Sequence, residues 1–234
     1  MTTARSPQRA DGRTAAVRQR LGLGRLLPLG GPADGAWIVE TAAASVLRGA
    51  AAVPGTVLGK LRIGSAEERE GEGAPPAPAN ALPSRRLRIE AEFSAVVDRP
   101  LPDAAAALRE VLITAAAARL GLEIAEVDLR VTALFDEDAP DQVTAAAPAA
   151  PLTEADGPVA AAAARAPGVV SLTRALGRAV HTARDHVRIE VATAADRRAL
   201  DVARSVRTAV AAALEDRQLV TVVVTDVVEP GPGS

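Results

Sequence analysis

Cysteine and tyrosine are absent from the 234 residues; histidine occurs twice, phenylalanine twice and tryptophan once. Without cysteine there is no disulfide, no thiolate nucleophile and no thiolate zinc site, a usage that fits a reducing compartment. Two histidines and no tyrosine leave few side chains able to move a proton near neutral pH. Aromatics at 1% deprive a nucleic-acid surface of stacking platforms. Lysine is nearly missing too: Lys60 stands alone, and arginine supplies the rest of the 27 basic residues. Neither sign of charge dominates, since 29 acidic residues leave a formal net charge of −2, so no overall field recruits nucleic acid or an anionic membrane. No apolar run approaches the ~20 residues of a membrane span, and residues 1–20 lack the apolar stretch of a secretory signal. A cytoplasmic protein is expected.

What is present is a core. Hydrophobic residues make up 48% of the chain, ample for one large or two small folded units. Residues 1–33 read as a basic flexible arm, with Arg5, Arg9, Arg13, Arg18, Arg20 and Arg25 against Asp11 alone. Within it Val17, Leu21, Leu23, Leu26 and Leu27 give an amphipathic turn, interrupted by Gly22 and Gly24 and ended by Pro28. Arg18, Arg20, Leu21, Leu23, Arg25, Leu26 and Leu27, with Trp37 just beyond, are the candidate partner-docking residues. A leucine stripe among arginines suits a partner's groove or an anionic surface. Residues 64–84, acidic and then proline-rich, read as a disordered loop; 136–151 read as a linker and 230–234 as a tail.

Two folded units remain, 34–135 and 152–229. In the first, Asp34 caps a helix with Ile38, Ala42, Val46 and Val53 at helical spacing, stopped by Pro54 and Gly55. Val57, Leu61 and Ile63 then alternate with basic residues, and Leu87, Ile89, Ala91, Phe93, Ala95 and Val97 alternate with polar ones, giving two strands with one core face each. Asp103 caps a second helix striped by Ala104, Leu108, Leu112 and Ala115, with Gly121 past its end, and Val127, Leu129 and Val131 form the last strand. The second unit repeats this order: Pro167 and Gly168 answer Pro54 and Gly55, and Arg188-Ile189-Glu190 answers Arg88-Ile89-Glu90. Residues 171–180 would suit a helix equally well, and only the repeat makes them extended. The expected fold is α+β, two α-β-β-α-β units, each a small mixed sheet with helices on one face, packed as a pseudo-two-fold pair.

The V-P-G-T at 53–56, the R-I-E-A-E-F strand at 88–93 and the L-G-L-E-I-A-E-V-D-L-R-V ending at 120–131 resemble the alkaline shock, or Gram-positive envelope stress response, family. The resemblance covers residues 36–134, with the second unit a degenerate copy. The arm sequence at 18–31 is similar to that of actinobacterial proteins grouped under a nucleopolyhedrovirus-type family name, which implies nothing about mechanism. What the resemblance implies is a non-catalytic cytoplasmic adaptor or scaffold, peripheral at the inner face of the cell membrane in some members. Its partners would be proteins, such as a small membrane protein or another family member, with self-association. The different-class alternative is a regulatory nucleic-acid-binding protein using the arginine-rich arm.

Motifs that imitate chemistry do not complete it. Residues 22–27 begin like a dinucleotide fingerprint but end in Leu27 with no strand before them, and residues 55–60 are one residue short of a phosphate loop, with Leu61 where a hydroxyl is needed. His181, Asp185 and His186 with Ser171 suggest a hydrolase set, but no G-x-S-x-G elbow accompanies them. The acidic triplet Asp136-Glu137-Asp138 lacks the alternating ligands of a calcium loop. No catalytic residue, cofactor or metal site is expected.

Overall fold

The computed structural model describes residues 22–66, 78, 80–83, 86–136, 150–216 and 218–229. The chain is mixed α+β, with two mixed sheets and packed helices. Residues 40–136 run in the expected order: α1 (Glu40–Ala50), β3 (Thr56–Ser65), β4 (Leu87–Val96), α2 (Leu101–Ala115) and β5 (Ile124–Phe135). The strands β1 (Leu26–Leu29) and β2 (Ala36–Val39) precede them. After residue 150 come β6 (Leu152–Thr153), α3 (Gly157–Ala164), β7 (Val169–Thr173), β8 (Val180–Thr182), β9 (His186–Ala194), α4 (Ala199–Ala213) and β10 (Leu219–Val228).

The smaller sheet has the order β3-β4-β5, antiparallel then parallel. Its inner face is Leu58, Leu61 and Ile63 of β3 against Phe93, Ala91 and Ile89 of β4, covered by the Ala104, Leu108, Leu112 and Ala115 stripe of α2. The alternation expected of β3 is out of phase at one end. An irregularity between Leu58 and Leu61 adds a residue, so Leu58 rather than Val57 is buried. Gly59 sits there because a Cβ would meet the Glu92 carbonyl at 3.3 Å. The V-P-G-T segment is a turn of type II pattern: Thr56 N–H donates to the Val53 carbonyl at 3.0 Å, Pro54 takes the first central position and Gly55 has φ +75°. Ala166, Pro167, Gly168 and Val169 make the same turn, with Val169 N–H on Ala166 O at 3.1 Å and Gly168 at φ +85°.

The larger sheet runs β1-β2-β10-β9-β7-β6, with β8 also on β9. As expected, β7 and β9 are antiparallel and β9 and β10 parallel. Residues 171–180 are not one strand: β7 and β8 flank a turn, and the Leu176 N–H reaches the fully buried Glu190 carboxylate at 2.8 Å, where Arg188 Nη2 also pairs at 3.1 Å. The helices α3 and α4 pack on each other and on this sheet, and α1 touches both sheets, through β10 and β2 of one and β3 of the other. One continuous apolar core joins the two halves.

The N-terminal assignment needs correction. No helix starts at Asp34. Residues Pro32–Asp34 form a 3₁₀ turn, and β2 follows it, lying parallel to β10 with Ala36, Trp37 and Ile38 opposite Val222, Val223 and Val224. Nor are residues 1–33 an arm throughout, because Leu26–Leu29 pair antiparallel with β2 and every one of them is buried. The first unit therefore does not begin at residue 34: the hairpin β1–β2 belongs to the sheet of the second, and the two sheets are unequal, seven strands against three. The physical reason is burial on both sides, which gives a continuous apolar run instead of an alternation and cannot be told from a helix start over four residues. The 64–84 loop also narrows: Gly64 and Ser65 finish β3, while Ala81 bridges to Leu26 and Leu82 N–H donates to the Leu26 carbonyl at 2.8 Å. Residues 67–77, 79, 84–85, 137–149 and 230–234 lie outside the described residues.

Candidate interaction surface

Of the eight candidate docking residues, Arg18, Arg20 and Leu21 lie outside the described residues. Leu23, Leu26, Leu27 and Trp37 are core, each 5% exposed or less. They cannot meet a partner without unfolding the hairpin. Arg25 is engaged as well: its Nη2 donates to the Ile63 carbonyl at 2.7 Å, and its main-chain N–H and Nε reach Glu40 Oε2 at 3.3 and 3.5 Å. Glu40 takes the Ile63 N–H on its other oxygen at 3.0 Å. This carboxylate at the start of α1 thus ties the segment leading into β1 to β3 of the other sheet, a role no sequence pattern announced.

The hydrolase set does not assemble. Ser171 lies opposite Ala192, six residues along β9 from His186, which is about 20 Å at 3.3 Å per residue. His181 and His186 have ring centroids 6.5 Å apart, and His186 Nδ1 is 3.1 Å from Asp185 Oδ1. That hydrogen bond holds the Asp185 carboxyl below its ordinary range. Among the described residues no group of three or more histidines and carboxylates is placed to hold a metal ion. The α4 arginines are occupied internally. Arg204 Nε meets Asp34 Oδ1 at 2.8 Å, keeping that carboxyl below the usual range, and Arg207 Nη1 donates to the Asp34 carbonyl at 2.6 Å. Arg198 Nε donates to the Ala117 carbonyl at 2.9 Å. Together they clamp the β1–β2 turn and the end of α2 to α4.

The surface left open is the outer face of the three-stranded sheet. Alternation in R-I-E-A-E-F sends Ile89, Ala91 and Phe93 inward and Arg88, Glu90 and Glu92 outward. Register then builds crossed rows: Arg62, Glu90 and Asp128 in one, Glu92 and Arg130 in the next, and Arg88 beside Glu126. Arg88 Nε lies 2.6 Å from Asp128 and 3.1 Å from Glu126, and the Asp128 charge above all raises the guanidinium's pKa. Between the rows is a shallow depression of 270 Å³ lined by Lys60, Arg62, Glu90, Glu92, Asp128 and Arg130. At the far end of β5, Val131, Leu134 and the neighbouring Val97 are 38%, 52% and 56% exposed. β5 is an edge strand, its second side unpaired by any strand among the described residues. Val131 and Leu134 stand opposite the inward Phe93 and Ala95, across the sheet from the charged rows. An open strand edge with ordered charges on one face and exposed aliphatics on the other can take an added strand from a protein partner. Sequence alternation foretold the charged face; it did not foretell that β5 is the edge.

No family model, curated protein or solved structure matches the chain. Among the described residues no helix is long and apolar enough to cross a membrane.

Proposed function

We propose that this protein is a non-catalytic adaptor that works by protein–protein contacts, through the open face and edge of its three-stranded sheet. The observation that carries the reading is that sheet itself: one face presents rows of charge, the other is built into the core except at one end, where Val131 and Leu134, opposite the inward Phe93 and Ala95, are left exposed, and the β5 edge between the two faces is open among the described residues. The likeness of its strands and turns to the alkaline shock family adds a setting, the cytoplasmic side of the cell envelope, with a small membrane protein or another family member as partner. The nucleic-acid alternative rests on the arginine-rich arm. Arg25, the one arm arginine within the described residues, already spends its guanidinium on Glu40 and Ile63.

The test is site-specific photo-crosslinking in the native host, with the reactive group at Arg62 or Glu92 on the sheet and at Ala155, exposed before α3, as control. Discrete protein adducts from the sheet positions, absent from the control and insensitive to moderate salt, support the adaptor. Adducts to nucleic acid that vanish steeply with salt would replace it with the alternative.

A further inference from the structure

We propose that the partner seated on the β5 edge is a second copy of this chain, paired antiparallel with β5 across a two-fold axis at Leu129. The two three-stranded sheets then join into one of six strands. The inference deepens the adaptor reading and rests on it only in locating contacts on this sheet.

The first support is charge. On the outer row of β5, Arg88 serves two carboxylates, Glu126 and Asp128, so that end of the strand keeps one uncompensated negative charge. Two residues on, Arg130 is exposed and makes no ion pair among the described residues. An antiparallel pairing centred on Leu129 sets Arg130 of each copy opposite Asp128 of the other. Each unpaired positive charge meets the negative excess, twice by symmetry. A shift by two residues one way brings the two Arg130 side chains face to face, and a shift the other way pairs Arg130 with Glu126 but sets Asp128 against its own copy, so the charges also choose the register.

The second support is shape and main chain. In the same register Leu129 meets its own copy, and Val127 meets Val131, which is 38% exposed for want of a neighbour. The Val127 carbonyl takes its hydrogen bond from Arg109 Nε of α2 at 3.1 Å. Strand alternation sends the main-chain groups of Leu129 and Val131 to the same side. Among the described residues Arg109 is the one guard on this stretch of edge, and a carbonyl oxygen retains a second lone pair for an incoming N–H.

The experiment uses the purified full chain. Sedimentation over a wide concentration range is expected to show a reversible dimer. Arg130→Glu and Asp128→Arg, both at exposed positions, should each raise the dimer dissociation constant by roughly tenfold or more, since each sets like charges face to face at two places. Mixing the two variants restores opposite charges at both places, and a mixed dimer tighter than either variant's own is expected. A wild-type chain that stays monomeric to its solubility limit overturns the proposal, as does a dimer that neither substitution weakens or a mixture that shows no recovery. Those failures leave the crosslinking result untouched, so loss of the dimer and loss of the adaptor reading are separable.

Discussion

At Gly121 the end of α2 lies against the start of α4, and replacing the glycine with alanine tests how the two halves of the molecule fit. The residue follows the π-helical turn Ala116–Leu120 that ends α2 and has φ +89°. Its carbonyl accepts the Gly30 N–H at 3.0 Å. A side chain there pays the left-handed penalty of about 1–2 kcal/mol. The new Cβ would also stand 2.5 Å from Leu200 Cβ and 3.3 Å from Arg198 Nε. Leu200 is buried at the start of α4, and its Cβ is fixed to the helix backbone, so relief requires α4 to move; such overpacking costs about 1–3 kcal/mol. Gly121→Ala should therefore destabilise the fold by about 2–5 kcal/mol. The assay is urea unfolding followed by the fluorescence of Trp37, the only tryptophan and a buried one. A drop in midpoint at unchanged slope is expected. Gly49 provides the opposite sign in the same experiment. It lies exposed in α1 with nothing within 4 Å of a Cβ, and Gly49→Ala should stabilise by about 0.5–1 kcal/mol. If Gly121→Ala costs less than about 1 kcal/mol, the close approach of α4 to the end of α2 is not present in solution.

Asp226 has its carboxyl pKa pushed up chiefly by burial. The native state thus favours the protonated acid, and the penalty for ionisation grows as pH rises from 3.8 through the folded value. Asp226→Asn should stabilise at pH 7, with the gain vanishing below about pH 4, as read from denaturation midpoints across pH; a pH-independent gain would refute the cause given. Glu190→Ala strands the Leu176 N–H and the mostly buried Arg188, and should cost about 2–4 kcal/mol, discounted from the fully buried case for the water Arg188 still meets. Urea unfolding checks it, and a loss under 1 kcal/mol would show that water replaces the carboxylate. Deleting residues 1–33 removes β1 and four buried leucines, Leu23, Leu26, Leu27 and Leu29, about 6–12 kcal/mol at most by area. No sharp thermal transition by circular dichroism is expected, and a cooperative one would make β1 dispensable. Docking by the arm must therefore be tested by substituting Arg18 and Arg20 rather than by this truncation.

Strands and helices with one wet side were legible in the sequence. The alternation of β4, the stripe of α2 and the Pro54-Gly55 turn gave residues 40–136 in the right order, including the antiparallel and parallel senses of β3-β4-β5. The hairpin β1–β2 was not legible, because Leu26–Leu29 and Ala36–Val39 are covered on both sides and their partner β10 is nearly at the other end of the chain. Position beside leucine and arginine suggested a docking arm, whereas contact with β10 makes those leucines core. The turn after β7 was invisible for a different reason: it is shaped by Glu190, whose carboxylate holds Leu176 from across the sheet. The charged face could be read from alternation, but its use depends on which strand ends the sheet. Topology decides that, and no local pattern records it.

The pairing of β2 with β10 also sets a schedule. Ala36 leaves the ribosome early and finds Val222 only when almost the whole chain has been made. At about 5–20 residues per second the wait is on the order of ten seconds or more, with Ala36, Trp37 and Ile38 lacking their final neighbour. Sheet closure of such long sequence range is slow even afterwards. The smaller sheet, whose three strands and covering helix all lie within residues 56–135, has its components together far sooner. Newborn chains would pass through a stage in which that sheet is formed and the N-terminal hairpin is still a sticky, unpaired edge, the interval in which a holding chaperone would matter most.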